Sequence, residues 1–175
     1  ESMVEELRQI AASTSKLMSL KADDVFVDIA CNDGTLLSFV DPAVVRVGFD
    51  PAKNTYKEAE QRNFSLFVND YFSAKAYRDS AYGAKKAKVI TTIAMFYDLE
   101  DPNAFVADVK DILDDNGLWV VQMSYLPLML EQLAFDNICH EHLEYYSLGA
   151  MKYLLDRHDL EIIDCQLNDV NGGSF

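Results

Sequence analysis

Residues 137–147, NICHEHLEYYS, gather more groups able to do chemistry than any other stretch: two histidines flank a glutamate, a cysteine precedes them and two tyrosines follow. An unperturbed imidazole titrates near neutral pH and can take a proton from carbon, and a neighbouring carboxylate can orient it. His140, Glu141 and His142 are therefore candidates for acid–base work. Two other readings stand beside that one. As metal ligands, His140 and His142 share a face only in an extended segment, Glu141 is too close in sequence to join them easily, and a third ligand is needed. As a polar corner, the segment would simply lead into a helix capped by Ser147.

A second set of residues stands where apolar runs end. In VDIACNDGTLL (27–37) a short turn joins a strand to a helix. Asn32 and Gly34 tolerate the positive φ such turns often need, and helix N–H groups then face the crevice. GFDPA places Asp50 at the end of the next run, where a carboxylate can accept from both hydroxyls of a ribose. NDYF places Asp70 to accept from an exocyclic amine, with Tyr71 among the aromatic faces that can pack on a purine. Acids at three successive strand ends, without a phosphate-cradling glycine loop or lysine, point to a nucleoside ligand that lacks a pyrophosphate.

These residues need a frame. DVFVDIA (24–30), VVRVGFD (44–50), FSLFVND (64–70), AKVITTIAMF (87–96), LWVVQMSYL (118–126) and LEIIDCQLND (160–169) read as six strands. Between them lie helical patterns through TLLSFV, 54–62 with Asn54 as its cap, about 73–83, 101–115 with Pro102 in its first turn and Asn116-Gly117 as its stop, and 147–159. Apolar strands alternating with helices predict an α/β fold with a mostly parallel sheet covered on both faces, whose ligands sit at the carboxyl ends of the strands. No internal repeat or linker interrupts the chain, so residues 1–22 are expected to form an N-terminal helix and 23–175 a single domain.

The chain has 175 residues, half of them apolar, with 15 basic residues against 29 acidic ones and a net charge of −14. So acidic a surface repels phosphate backbones, which excludes nucleic acid as the expected partner and favours a small-molecule substrate. The basic cluster AKKAK (84–88) reads as the solvated end of a helix. No apolar run approaches the roughly 20 residues of a membrane span, and the acidic amphipathic N-terminus is not a signal peptide. The three cysteines, Cys31, Cys139 and Cys165, lack CxxC spacing; a disulfide framework or structural zinc is not expected, and a cytoplasmic setting is.

VDIACNDGTLL, GFDPAKN and VNDYF together resemble the cofactor half of class I S-adenosylmethionine-dependent methyltransferases, with a Rossmann-like three-layer sandwich. Ala30 and Asn32 stand where glycines are commoner in that superfamily, and this version of the turn is similar to the sugar C-methyltransferase branch. The second half agrees: a strand ending in YL, the box FD-x-I-x-HEH-x-x-Y-x-S and a late GGS resemble the nucleotide-sugar C-methyltransferases. The resemblance implies that Asp28 to Gly34, including Ala30 and Asn32, hold the methionine portion of S-adenosylmethionine, Asp50 the ribose, and Asp70 with Tyr71 the adenine. It implies a substrate that is a nucleotide-linked keto sugar, His142 as the base that makes an enolate, and His140 and Glu141 as supporting or enolate-stabilising groups. S-adenosylhomocysteine would be the product, and no metal is expected. A tyrosine commonly precedes the first histidine in that family; Cys139 stands here, a poor donor. Tyr97, Tyr125, Tyr145 or Tyr146 could supply a phenol on the substrate side, or be core or rim aromatics.

Relatives in this branch carry a zinc-binding segment before the cofactor domain and a second domain after GGS, neither of which is expected here. The last, antiparallel strand of the sheet should be incomplete, leaving an edge for a partner chain or a second copy. An O- or N-methyltransferase of another small metabolite, and a catalytically idle nucleoside-binding or assembly domain, share the same cofactor residues.

Overall fold

The computed structural model of the protein describes residues 3–167 and 174–175. In chain order the elements are α1 (Met3–Leu17), β1 (Val25–Ile29), α2 (Thr35–Ser38), β2 (Val45–Phe49), α3 (Lys53–Gln61), β3 (Leu66–Val68), α4 (Ala74–Arg78), β4 (Ala87–Ile93), α5 (Pro102–Ile112), β5 (Leu113–Gln122), α6 (Leu126–Gln132) and α7 (Leu148–Asp156). Single 3₁₀ turns lie at Phe96–Asp98 and Phe135–Asn137.

The five strands form a parallel sheet in the order β3-β2-β1-β4-β5, flanked by helices. β1 lies between β2 and β4, with Val27 opposite both Val47 and Ile90. Every residue of β1 is buried, as a strand covered on both faces must be. That is why its sequence reads as an unbroken apolar run except at Asp28.

The chain divides into two compact units, Glu1–Thr92 with Asp111–Val120, and Ile93–Lys110 with Val121–Phe175. The first has its core in Val25, Phe26, Val27, Leu37, Val47, Phe49, Val89 and Ile90. The second is built on Phe96, Val106, Val109, Met123, Met151 and Leu154; there the Phe96 ring meets Phe105 and Tyr146 edge to face at 5.9 and 5.3 Å.

Several boundaries differ from the sequence reading, each for a local reason. The third strand contracts to Leu66–Val68, just after Asn63 at φ 52°. β4 stops at Ile93 because Ala94 turns to φ 53° while its N–H meets the Gln122 carbonyl. α5 ends at Ile112 and β5 begins at once, so Asn116-Gly117 lies inside the strand rather than stopping the helix. A Cβ on Gly117 would stand 3.0 Å from the Ala87 carbonyl oxygen; the glycine permits a close strand approach. Ala52, without a side-chain bond, occupies the N-cap of α3 in place of Asn54. The helical stretch at 73–83 is reduced to Ala74–Arg78, capped by Ser73.

The expected sixth strand does not form over residues 160–167, where Ile163 and Leu167 are exposed and no ladder partner is present among the described residues. Asn168 and Asp169 of that expectation lie outside the described residues, as do Gly172 and Gly173 of the GGS motif. Ser174 makes an antiparallel bridge to Ser124, and Phe175 exchanges two backbone hydrogen bonds with Met123. Antiparallel pairing is thus present as an isolated bridge beyond the end of β5.

Candidate functional site

In the first unit the turn after β1 is tied to the acid that follows β2. Cys31 to Gly34 bend the chain from β1 into α2, with Ala30, Asn32 and Gly34 at φ 59°, 52° and 76°. Asn32 and Gly34 are residue types that tolerate this region; Ala30 adopts it against a Cβ penalty. Asp50, buried just past β2, accepts from the Asn32 N–H at 2.8 Å through one oxygen and from the Ala52 N–H at 2.8 Å through the other. Its carboxylate is fixed to the turn by these two bonds, and each oxygen keeps a lone pair for a further donor. Asn69 donates to the Asp50 carbonyl at 2.8 Å. A carboxylate so held, beside a glycine-bearing turn at the carboxyl ends of parallel strands, could accept from the hydroxyls of a ligand.

Asp28 is buried within β1. Only 3% exposed, it accepts the Thr91 hydroxyl at 2.6 Å across the β1–β4 pair. Burial, opposed by the Thr91 bond and reinforced by the Asp50 charge, raises its carboxyl to about 7. Thr91 interrupts the apolar run of β4, a signal the sequence carried. Asp70 and Tyr71 are exposed, Tyr71 at 77%, and Asp70 accepts from the N–H of Tyr71 itself at 2.8 Å. The aromatic neighbour that is packed is Phe72, edge-on to Phe49 at 5.3 Å.

In the second unit the HEH segment is docked on the 3₁₀ turn after β4. The Tyr97 carbonyl accepts from the N–H groups of Leu143 and Glu144 at 2.9 and 3.0 Å. The half-buried His142 ring lies 4.3 Å from the Tyr97 ring, and its Nδ1 is 2.7 Å from the Asn137 carbonyl oxygen. A carbonyl can only accept, so Nδ1 carries the hydrogen and Nε2 keeps its lone pair in the neutral ring. The Tyr145 hydroxyl donates to the same carbonyl at 3.4 Å. A backbone carbonyl, not the expected carboxylate, therefore orients His142. Asp98 is its electrostatic neighbour: partial burial raises the Asp98 carboxyl, His142 opposes that rise and Glu141 adds to it.

His140 and Glu141 are brought to each other, 3.9 Å apart, but on the solvent side and not onto His142. Of the four candidate tyrosines, Tyr97 meets the His142 ring, Tyr145 shares its Asn137 carbonyl acceptor, Tyr125 packs against Phe175 at 5.0 Å, and Tyr146 is buried. Gln122, at the carboxyl end of β5, Ser124 and Tyr146 hold buried side-chain polar atoms without hydrogen-bond partners. Such groups cost stability unless something satisfies them. Ser147 caps α7 by accepting from the Ala150 N–H at 3.3 Å, as read from the sequence. No group of three or more His, Cys, Asp or Glu suited to a metal ion is present among the described residues.

The parallel strand order, the turn after β1 and the acid after β2 define the class I methyltransferase fold, the architecture of S-adenosylmethionine-dependent enzymes. The chain belongs to the Methyltransferase domain family, whose model matches residues 3–164. It is similar to the C-methyltransferase NovU of Streptomyces niveus, 29% identical over 99% of this chain and 41% of NovU. The chain thus spans about two-fifths of the length of that curated relative. Among solved structures, the plantazolicin methyltransferase BpumL in complex with S-adenosylhomocysteine superposes at TM-score 0.64, 16% identity, over 86% of this chain and 61% of its own. The YcgJ protein of Bacillus subtilis superposes at TM-score 0.72, 17% identity, over 94% and 72%.

Proposed function

We propose that this chain is the core of an S-adenosylmethionine-dependent C-methyltransferase whose substrate is a nucleotide-linked keto sugar, with S-adenosylhomocysteine as product. The observation that carries the reading is His142. Its Nδ1 hydrogen is committed to the Asn137 carbonyl, so Nε2 is the basic atom, steadied by the Tyr97 ring.

When bound, S-adenosylmethionine supplies an electrophilic methyl group. Asp50 is then the acceptor for the ribose hydroxyls, the turn through Ala30, Asn32 and Gly34 lies along the methionine portion, and Asp70 with Tyr71 serves the adenine. Asp28 acts from behind, through the sheet. His142 Nε2 takes the proton from the carbon next to the substrate carbonyl, and the C–H electron pair passes into an enolate. The proton so taken is held beside Asp98, the electrostatic neighbour of His142. The enolate carbon is the nucleophile, so the enzyme's remaining task is alignment and exclusion of water. His140 and Glu141, exposed on the same loop, are left to meet polar groups of the substrate, with Tyr97, Tyr125 and Tyr145 on its flank.

The resemblance of the HEH box and the likeness to NovU support a carbon acceptor. Cys31, Cys139 and Cys165 are free thiols, and no helix among the described residues is long and apolar enough to cross a membrane; the thiols fit a reducing cytoplasm.

Replacing His142 with asparagine is expected to lower methyl transfer to a keto-sugar nucleotide by about 10²- to 10⁴-fold, the usual weight of a general base. It should also abolish exchange of the substrate's α-proton with deuterated solvent. Transfer at the original rate would exclude His142 as the base. Locating the methylated atom by NMR separates carbon transfer from an O- or N-methyltransferase.

A further inference from the structure

We propose that Arg62 and Phe64, in the connection between α3 and β3, are positioning residues that hold the turn Cys31–Thr35 in its cofactor-binding shape from behind. The proposal rests on the reading of that turn as the cofactor's seat. It deepens that reading by naming what keeps the seat in shape.

The turn needs restraint. Two of its residues, with Ala30 before them, sit at positive φ, and only Gly34 does so without a Cβ penalty. α2 begins without a side-chain bond from its own N-cap residue. Asp33 supplies what is missing, accepting the Thr35 N–H at 3.0 Å and the Thr35 hydroxyl at 2.7 Å on the same oxygen. The other oxygen is taken by the Arg62 guanidinium at 2.6 Å, and the same guanidinium nitrogen reaches the Thr35 hydroxyl at 3.1 Å. Burial pushes the Asp33 carboxyl up, but the Thr35 hydrogen bonds and the Arg62 charge outweigh it and hold the group below its usual range.

Phe64 completes the clasp. A Cβ on Gly34 would collide with the Phe64 ring, so the ring fills the space against that glycine. The segment carrying both residues is tied to β2: the Arg46 N–H donates to Ser65 Oγ at 3.0 Å, and its guanidinium donates to the Asn63 carbonyl at 3.2 Å. That guanidinium also lies 5.8 Å from the centre of the Phe64 ring.

Charge adds a second reason. Asp28, Asp50 and Asp33 all act on the Cys31 thiol and help to raise it, after burial, so three carboxyl groups bear on one turn. Arg62 neutralises one of them. Without it, Asp33 would be freer to leave Thr35 and the turn would sample other shapes. Neither Arg62 nor Phe64 has to touch the ligand for this to hold.

The test is calorimetric titration of the whole chain with S-adenosylmethionine and with S-adenosylhomocysteine, alongside thermal unfolding. Arg62→Met and Asp33→Asn are each expected to weaken binding about fivefold, the upper range for a half-exposed ion pair. The double variant should bind no more weakly than either single one, because the two act as a unit. Arg62→Lys should recover part of the loss, since it keeps the charge but not the fork. Phe64→Leu, which keeps the site apolar, should also weaken binding. Variants that lose thermal stability yet bind as tightly as wild type would overturn the proposal by making the clasp merely structural. Additive losses in the double variant would also overturn it. Failure of the wild-type chain to bind either compound would instead overturn the cofactor reading of the turn, and this proposal with it.

Discussion

Asp28 is the fourth residue of β1, with its carboxyl sealed from water, and sealing favours the neutral form. Burial is the main cause of its rise to about 7, well above the ordinary aspartate range. As pH climbs from that range toward 7, an unfolded chain gives up this proton while the folded chain retains it. Asp28 therefore favours folding most at low pH; the advantage fades across the interval and is gone above it. Asp28→Asn removes the titration and still offers an oxygen to the Thr91 hydroxyl. Thermal unfolding followed from about pH 4 to about pH 8 is expected to lose much of its slope in this variant; an unchanged slope would place the titration elsewhere. Individual residues differ in how visible they are before folding. Asp50 is legible because a carboxylate closing an apolar run stands out by type and place. The partner of His142 is not, because it is a main-chain carbonyl and any residue could provide it. Asp98 and Arg62 are hidden for another reason: the contacts that give them meaning join separate segments.

Helices and strands carry the residues to their places, and the ones with strong local signals were readable. β1, β2 and β4 are apolar runs of the right length, and Pro102 and Ser147 mark helix starts by their chemistry. Ser147 matters because α7 begins where the HEH segment ends. Ser147→Ala removes the acceptor for the Ala150 N–H and is expected to cost about 1 kcal/mol of stability, measured by denaturant unfolding, with the midpoint lowered and the slope unchanged. A loss well below that would show water serving the cap equally well. Element ends were less readable, since they are settled by neighbours. Asn116-Gly117 has the composition of a turn, yet Gly117 lies within β5 because its missing side chain lets that strand approach the Ala87 carbonyl. The run at 160–167 has the apolar content of a strand but no neighbour to pair with among the described residues, and the backbone there remains irregular.

The chain as a whole carries an excess of fourteen negative charges. Mutual repulsion of that size opposes compactness, while the exposed ion pairs, such as Lys152–Asp156 at 2.7 Å, return little. Salt shortens the reach of the repulsion to about 8 Å at physiological strength. The melting temperature is accordingly expected to rise as sodium chloride goes from a few millimolar to about 0.15 M; a fall would mean that ion pairing dominates. One consequence belongs to the β1–β2 pairing, in which Val27 faces Val47 and Ile29 faces Phe49. Side chains alternate along a strand, so sliding β2 by a single step would carry Val47 and Phe49 to the other face of the sheet. The same slip would carry the carboxylate just beyond Phe49 to the opposite side of the sheet. Hydrophobic fit and ligand chemistry are thereby locked to one alignment, and damage to an oily contact deep in the interior would surface as lost affinity at a place it never touches.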